Sequence, residues 1–299
     1  MPDARRIVVT GMGAVSAAGV GAPALWQAAR DGRSYVREAR FPRPHRGRIK
    51  IAAQVQDFDP ASYLTAAEIP FCDPVTQYLL VAADEAVAQA GLSSAKPFGP
   101  RAATIVGTGI GGMHTVENGL YVTLVEQGRL EPLTVPRLIP SAPPSQASIR
   151  FGSTGPCFAV ASACSSATQA IGMGFHLIRS GLVDCAIVGG TEDCITNSTM
   201  LAWEVLRVLT PDACRPFSKG RNGMVIGAGA AVFILEEAEL ARARGAEALA
   251  EIAGYGTSSD AKDPVRPDAQ GAAASMRYAL ADAGLEGEAI DYVNAHGTG

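Results

Sequence analysis

Short apolar runs alternate with longer amphipathic stretches along most of this chain. Arg6 to Thr10 (RIVVT) is β-branched and reads as a strand that Gly11-Met12-Gly13 turns sharply. Ala102 to Val106, Phe158 to Ala161, Leu182 to Gly190, Gly227 to Glu236, Glu251 to Gly256 and Asp291 to Asn294 are further strand candidates. Helical spacing predicts helices over Ala24 to Ala29, Val75 to Ala90, Met200 to Leu209, Glu237 to Ala248 and Pro267 to Ala283. Asp57 to Pro74 is broken by prolines and polar residues, and Leu133 to Pro144 (LTVPRLIPSAPP) has no helix period and reads as extended. Strands separated by helices, most of them apolar throughout, predict an α/β protein with a parallel or mixed sheet covered on both faces.

Within that pattern, Phe158 to Gly181 (FAVASACSSATQAIGMGFHLIRSG) organises the rest. A short apolar run meets a knot of very small residues, Ser162-Ala163-Cys164-Ser165-Ser166. Beyond it Ala170, Ile171, Phe175, Leu177 and Ile178 recur at helical spacing, with Gly181 where a C-cap belongs. The stretch reads as strand, tight turn and helix, with Cys164 at the helix N-terminus. A thiol there faces unpaired N–H groups and the positive end of the helix dipole, which favour thiolate. Its small neighbours leave room for a carbonyl to approach. The alternative is a buried structural cysteine. Active residues in such folds gather at strand C-termini, so Cys164 and His296, each just after a predicted strand, are placed to converge. His176 reads as structural, His45 and His114 as loop residues, and Cys157, Cys185 and Cys194 as core or loop thiols.

Composition narrows the classes. The 299 residues are 47% hydrophobic and 18% charged with a net charge of −4, an ordinary globular balance with no field to attract nucleic acid or anionic lipid. The basic run Arg37 to Lys50 reads as a solvated loop, with an acidic carrier protein as the alternative partner. The six cysteines form no CxxC pair and no zinc-ligand spacing, and the chain opens without a secretory leader; both predict reduced thiols in the cytoplasm. No apolar run reaches the ~18–20 residues of a membrane span. Gly107-Thr108-Gly109-Ile110-Gly111-Gly112 follows a predicted strand and matches the dinucleotide-binding pattern. It lacks the acidic strand end about 20 residues on. A close-packed turn is the other reading, and a nucleotide-dependent oxidoreductase would rest on this motif alone.

Five motifs in register resemble the β-ketoacyl-[acyl-carrier-protein] synthases. They are Val9-Thr10-Gly11-Met12-Gly13, the Gly107–Gly112 turn, Ser162-Ala163-Cys164-Ser165-Ser166, Arg215-Pro216-Phe217 and Asn294-Ala295-His296-Gly297-Thr298-Gly299. The resemblance implies a thiolase-like α-β-α-β-α fold of two similar halves with mixed five-stranded sheets, the first over 1–244 and the second starting at 245 and incomplete. It implies an acyltransferase that condenses an acyl group on Cys164 with malonyl-carrier protein, decarboxylating it with help from His296. Ile110 and Thr298 are implied substrate contacts. No metal or redox cofactor is implied, since the substrates ride on the carrier's phosphopantetheine. The implied partners are the acyl carrier protein and a second, identical or related, subunit. Family members continue past the His-Gly-Thr-Gly turn with a lysine motif, a second histidine and a Gly-Phe-Gly loop, so this sequence resembles a C-terminally truncated member. Ala228 stands where the family commonly has an acidic residue. Ser141-Ala142 stands where it often has Asn-Met, which points to a nodulation-type or polyketide branch. The non-catalytic alternatives are a chain-length-shaping partner subunit, usually cysteine-less so that Cys164 argues against it, and an inactive fragment of such a synthase.

Overall fold

The structure, a computed structural model, describes residues 5–299 apart from Pro264. Its first elements are β1 (Ile7–Ser16), β2 (Gly19–Val20), α1 (Ala22–Arg30), β3 (Arg37–Glu38), β4 (Ile51–Ala52) and α2 (Pro74–Gln89). The middle of the chain carries β5 (Ala102–Gly107), α3 (Met113–Leu124), α4 (Thr134–Leu138), α5 (Ala142–Phe151), β6 (Cys157–Val160) and α6 (Ser166–Arg179). There follow β7 (Cys185–Glu192), α7 (Asn197–Val205), β8 (Gly229–Glu237), α8 (Ala238–Ala243), β9 (Ala250–Ile252) and α9 (Ala269–Ala283).

One mixed sheet runs in the order β2-β1-β8-β7-β5-β6, with β9 also pairing with β1. Strands β5, β6 and β7 are mutually parallel, while β8 lies antiparallel to both β7 and β1. One face of the sheet packs on α2 and α5 around Leu79, Val106, Phe151 and Ile234. The other packs on α6 around Ile105, Phe175, Ile178 and Val188. Burial on both faces explains why β5 reads as an unbroken apolar run.

Several elements depart from the sequence pattern for identifiable reasons. The Gly11-Met12-Gly13 stretch does not turn: β1 continues through it, with a register shift between Val9 and Gly11. Its glycines mark the crossing of α2, where a Cβ at Gly11 or Gly13 would stand 2.0 Å from the carbonyl oxygen of Ala86 or Ala82. The Pro-rich segment is helical rather than extended. Pro143 and Pro144 fall in the first turn of α5, where no N–H is needed for the intrahelical ladder. His114 lies in the first turn of α3, not in a loop. The helix expected over Glu237 to Ala248 is confined to α8, because Glu237 accepts from Leu240 N as its N-cap and Gly245 follows the last turn at φ +76°. Asp291 to Asn294 forms no strand among the described residues: it has no pairing partner and is exposed. Residues 245–299 therefore contribute β9 to the existing sheet and form no sheet of their own among the described residues, while α9 lies against the 254–256 stretch that follows β9 and pairs Asp282 with Arg179 of α6.

Candidate active site

The turn before α6 is built by its own small side chains. Ser166 Oγ accepts from Ser162 N at 2.8 Å and donates to Ala163 O at 2.7 Å, while Ser165 Oγ donates to Ser162 O at 2.9 Å. Ala163 is held at φ +51°, a left-handed conformation that an L-residue adopts at a cost of about 1–3 kcal/mol. The strained turn leaves Cys164 exposed, two residues ahead of the first residue of α6. Behind it, β5 and β7 end directly against the helix. A Cβ at Gly107 would lie 2.3 Å from Ala167 N, and one at Gly190 would lie 2.5 Å from Ala167 Cβ.

Cys164 stands where two cavities meet. One, of about 470 Å³, is largely apolar in its lining and includes Ile110, Cys194, Trp203 and Ala230, with Glu192 and Thr191 among its polar members. The other, of about 460 Å³, is lined by Ser165, Tyr255, Ser258, Asp260, Asn294 and His296. The structure thus places Cys164 on both cavities, with Ile110 in the lining of one and His296 in that of the other. It sets Thr298 apart: that residue is exposed, and its carbonyl accepts from Cys214 Sγ at 3.3 Å. The Arg215-Pro216-Phe217 loop backs the same turn, since a Cβ at Gly297 would lie 3.2 Å from Pro216 Cβ and 3.1 Å from the Phe217 ring.

The remaining cysteines are differently placed. Burial pushes the Cys194 and Cys72 thiols up to about 12 and raises those of Cys185 and Cys157 as well. Such thiols stay protonated near neutrality and are poor nucleophiles. His176 packs edge-on to Tyr255 and contacts Arg179, as a structural residue would. His45 stacks on Phe41 and meets Asn197 Oδ1 at 2.9 Å.

The Gly107–Gly112 turn is not a phosphate cradle here. Gly109 N donates to Glu192 Oε2 at 2.6 Å, Gly111 N donates to Thr108 Oγ1 at 3.1 Å, and Gly112 N donates to Leu138 O at 3.1 Å. The protein's own carboxylate holds the position a pyrophosphate would need, which removes the geometric basis for a nucleotide-dependent oxidoreductase. Burial raises the Glu192 carboxyl above its ordinary value, and the hydrogen bonds from Gly109 and Thr108 offset part of that shift.

A second carboxylate group lies alongside. Buried Asp193 accepts from Tyr78 Oη at 3.2 Å and pairs with His114 Nε2 at 3.0 Å. Buried Asp73 caps α2 and accepts from Thr115 N at 2.8 Å and Thr115 Oγ1 at 2.6 Å. Burial lowers the His114 pKa, but the neighbouring Asp193, Asp73 and Glu117 outweigh it, leaving it raised. Sequence reasoning missed the roles of Glu192, Asp193 and His114. Their only local signal is the acidic pair at the end of an apolar strand. Among the described residues no cluster of three or more His, Cys, Asp or Glu side chains is arranged to hold a metal ion. No described helix is long and apolar enough to cross a membrane.

A mixed sheet between helical layers, with a cysteine on a strained strand-to-helix turn facing an apolar cavity and a histidine across a second cleft, defines a thiolase-like condensing-enzyme architecture. The chain belongs to the β-ketoacyl synthase family: its N-terminal-domain model matches residues 4–241 and its C-terminal-domain model residues 249–299. Nodulation protein E of Rhizobium meliloti (strain 1021) is 40% identical over 296 residues, spanning 99% of this chain and 73% of that protein. 3-Oxoacyl-[acyl-carrier-protein] synthase 2 of Staphylococcus aureus (strain COL) is 36% identical over 307 residues, spanning 100% of this chain and 74% of that protein. The solved ishigamide ketosynthase/chain length factor superposes with a TM-score of 0.93 at 33% identity, over 98% of this chain and 73% of that one. The chain therefore spans about three quarters of the length of these relatives.

Proposed function

We propose that this chain carries the acyl-transfer and decarboxylative-condensation chemistry of a β-ketoacyl synthase, with Cys164 as nucleophile and His296 as the group that stabilises enolate charge. The observation that carries the reading is the position of Cys164 at the junction of an apolar cavity and a polar cleft that contains His296. The thiolate attacks the carbonyl carbon of an acyl thioester. The new C–S bond forms as the donor's acyl–sulfur bond breaks; the donor leaves as a thiolate and takes up the proton the Cys164 thiol gave up, and the acyl chain takes the cavity bordered by Ile110. Malonyl thioester then loses carbon dioxide, and the enolate oxygen accepts a hydrogen bond from a ring N–H of His296. The enolate carbon attacks the acyl-Cys164 carbonyl, the C–S bond breaks, and a 3-oxoacyl thioester two carbons longer leaves. These steps require no metal or redox cofactor. Thr298, exposed and with only its carbonyl engaged by Cys214 Sγ, is the residue we assign to contact the substrate's pantetheine arm. We divide the chain functionally into 1–244, which bears the nucleophile, and 245–299, which bears His296.

The relatives' names support an acyl carrier protein as donor and a second subunit as partner. Exposed Arg46, Arg48 and Lys50 lie on a loop that Glu204 ties to α7 through Arg48 N and Ile49 N, close to exposed Val205, Leu206 and Arg207. That mix of cations and apolar side chains suits an acidic carrier. The free edge of β6, beside exposed Ile149 of α5, suits pairing with a second condensing-enzyme subunit. Free cysteines suit the reducing cytoplasm.

Intact mass spectrometry after incubation with acyl-thioester donors tests this reading. One acyl group mapped to Cys164, and lost in Cys164→Ala, is expected. An unmodified wild-type chain would leave the non-catalytic, chain-length-type subunit as the better reading.

A further inference from the structure

We propose that Glu192 is a positioning residue for the acyl cavity, its carboxylate fixing the Thr108–Gly112 part of the Gly-rich turn so that Ile110 borders the space beside Cys164. This rests on the reading of that cavity as the acyl site. Glu192 ends β7 and Asp193 follows it, and successive side chains along extended backbone leave opposite faces. Glu192 lines the cavity and receives the Gly109 N–H at 2.6 Å, with Thr108 Oγ1 at 3.5 Å. Asp193 is buried and pairs with His114, the second residue of α3. The two carboxylates therefore grip the same connection, one at the turn and one at the helix that follows it. Two features show that the grip is tight. A Cβ at Gly109 would stand 2.9 Å from Glu192 Oε2, and Thr108 Oγ1 turns back to accept from Gly111 N at 3.1 Å. A half-buried carboxylate facing an apolar cavity is costly to keep unless its hydrogen bonds are used. Here they are used on backbone that no other described side chain holds except Thr108.

Three full-chain variants test it: Glu192→Ala removes the acceptor, Glu192→Gln keeps one acceptor oxygen, and Gly109→Ala pushes the carboxylate away while leaving it present. Hydrogen exchange of the peptide spanning 108–112 should accelerate about tenfold or more in Glu192→Ala and Gly109→Ala, and by less in Glu192→Gln, as expected for loss of charge-assisted hydrogen bonds. Alkylation of Cys164 by iodoacetamide and by an N-decyl iodoacetamide supplies a second readout. The long-to-short rate ratio should fall severalfold in the same order while the iodoacetamide rate itself holds. Unchanged exchange across 108–112, or an unchanged ratio, in folded Glu192→Gln and Gly109→Ala overturns the proposal, even if Glu192→Ala fails to fold. Neither readout uses an acyl-thioester donor. A wild-type chain that refuses such donors would thus sink the functional reading while these measurements still decide the role of Glu192.

Discussion

Replacing Gly107 by alanine probes how closely β5 is fitted against the nucleophile helix. The added Cβ would lie 2.3 Å from both Ala167 N and Ser166 C and 2.4 Å from Ser166 O. All three are backbone atoms, so no side chain can rotate away. Ordinary contact begins near 3.4 Å, so strand and helix must separate by about 1.1 Å (3.4 less 2.3). Cys164 precedes Ser166 by two residues and is tied to it through the Ser162–Ser166 hydrogen bonds, so the separation reaches the sulfur. A misplacement of about 1 Å costs on the order of a hundredfold in rate when reacting groups must be aligned. Overpacking of this kind costs about 1–3 kcal/mol of stability. For a chain of 299 residues that is a fall of roughly 2–5 °C in Tm. Single-turnover acylation followed by intact mass, with thermal unfolding on the same samples, measures both quantities. Gly220→Ala is the control, because nothing lies within 4 Å of its added Cβ. Gly107→Ala acylation within about threefold of wild type, with Tm unmoved, would refute the argument that this contact places the sulfur.

Two further predictions concern stability. Arg244 donates to Glu236 at 2.8 Å and to Ala90 O at 2.7 Å, and Glu236 is 6% exposed. Arg244→Ala leaves that carboxylate without a cation and with Thr10 Oγ1 as its remaining donor, and urea unfolding should show a loss of about 2–3 kcal/mol, below the full buried-pair figure because Arg244 is partly in solvent. Asp184 is held below the usual carboxylate range first by its hydrogen bond to Arg101 and then by Arg5. A depressed carboxyl pKa contributes stability above the ordinary value of 3.8 and loses it as pH falls through the lower folded value. Asp184→Asn should therefore cost no more than ~1 kcal/mol at neutral pH, given its exposure, and should flatten the acid limb of a urea-midpoint series below pH ~4.

Local chemistry in the sequence already determined most elements of this protein. The buried strands are apolar runs, the helices after them keep a 3.6-residue period, and the small-residue knot around Cys164 leaves little choice but a tight turn. Where elements approach one another was decided only by the tertiary structure. Gly11 and Gly13 look like turn residues by composition, and only the crossing of α2 shows that they are strand residues with no room for a side chain. Pro143 and Pro144 look like breakers until a helix starts on them. The GTGIGG pattern is equally compatible with a phosphate and with a carboxylate. The choice fell to Glu192, about eighty residues away in sequence and on a different strand. Asp291 to Asn294 has strand-forming side chains, but a strand needs a partner's N–H and C=O groups, and none lies beside it among the described residues. Periodicity and caps are encoded within a few residues. Pairing, close approach and the satisfaction of buried polar groups depend on residues that only folding brings together.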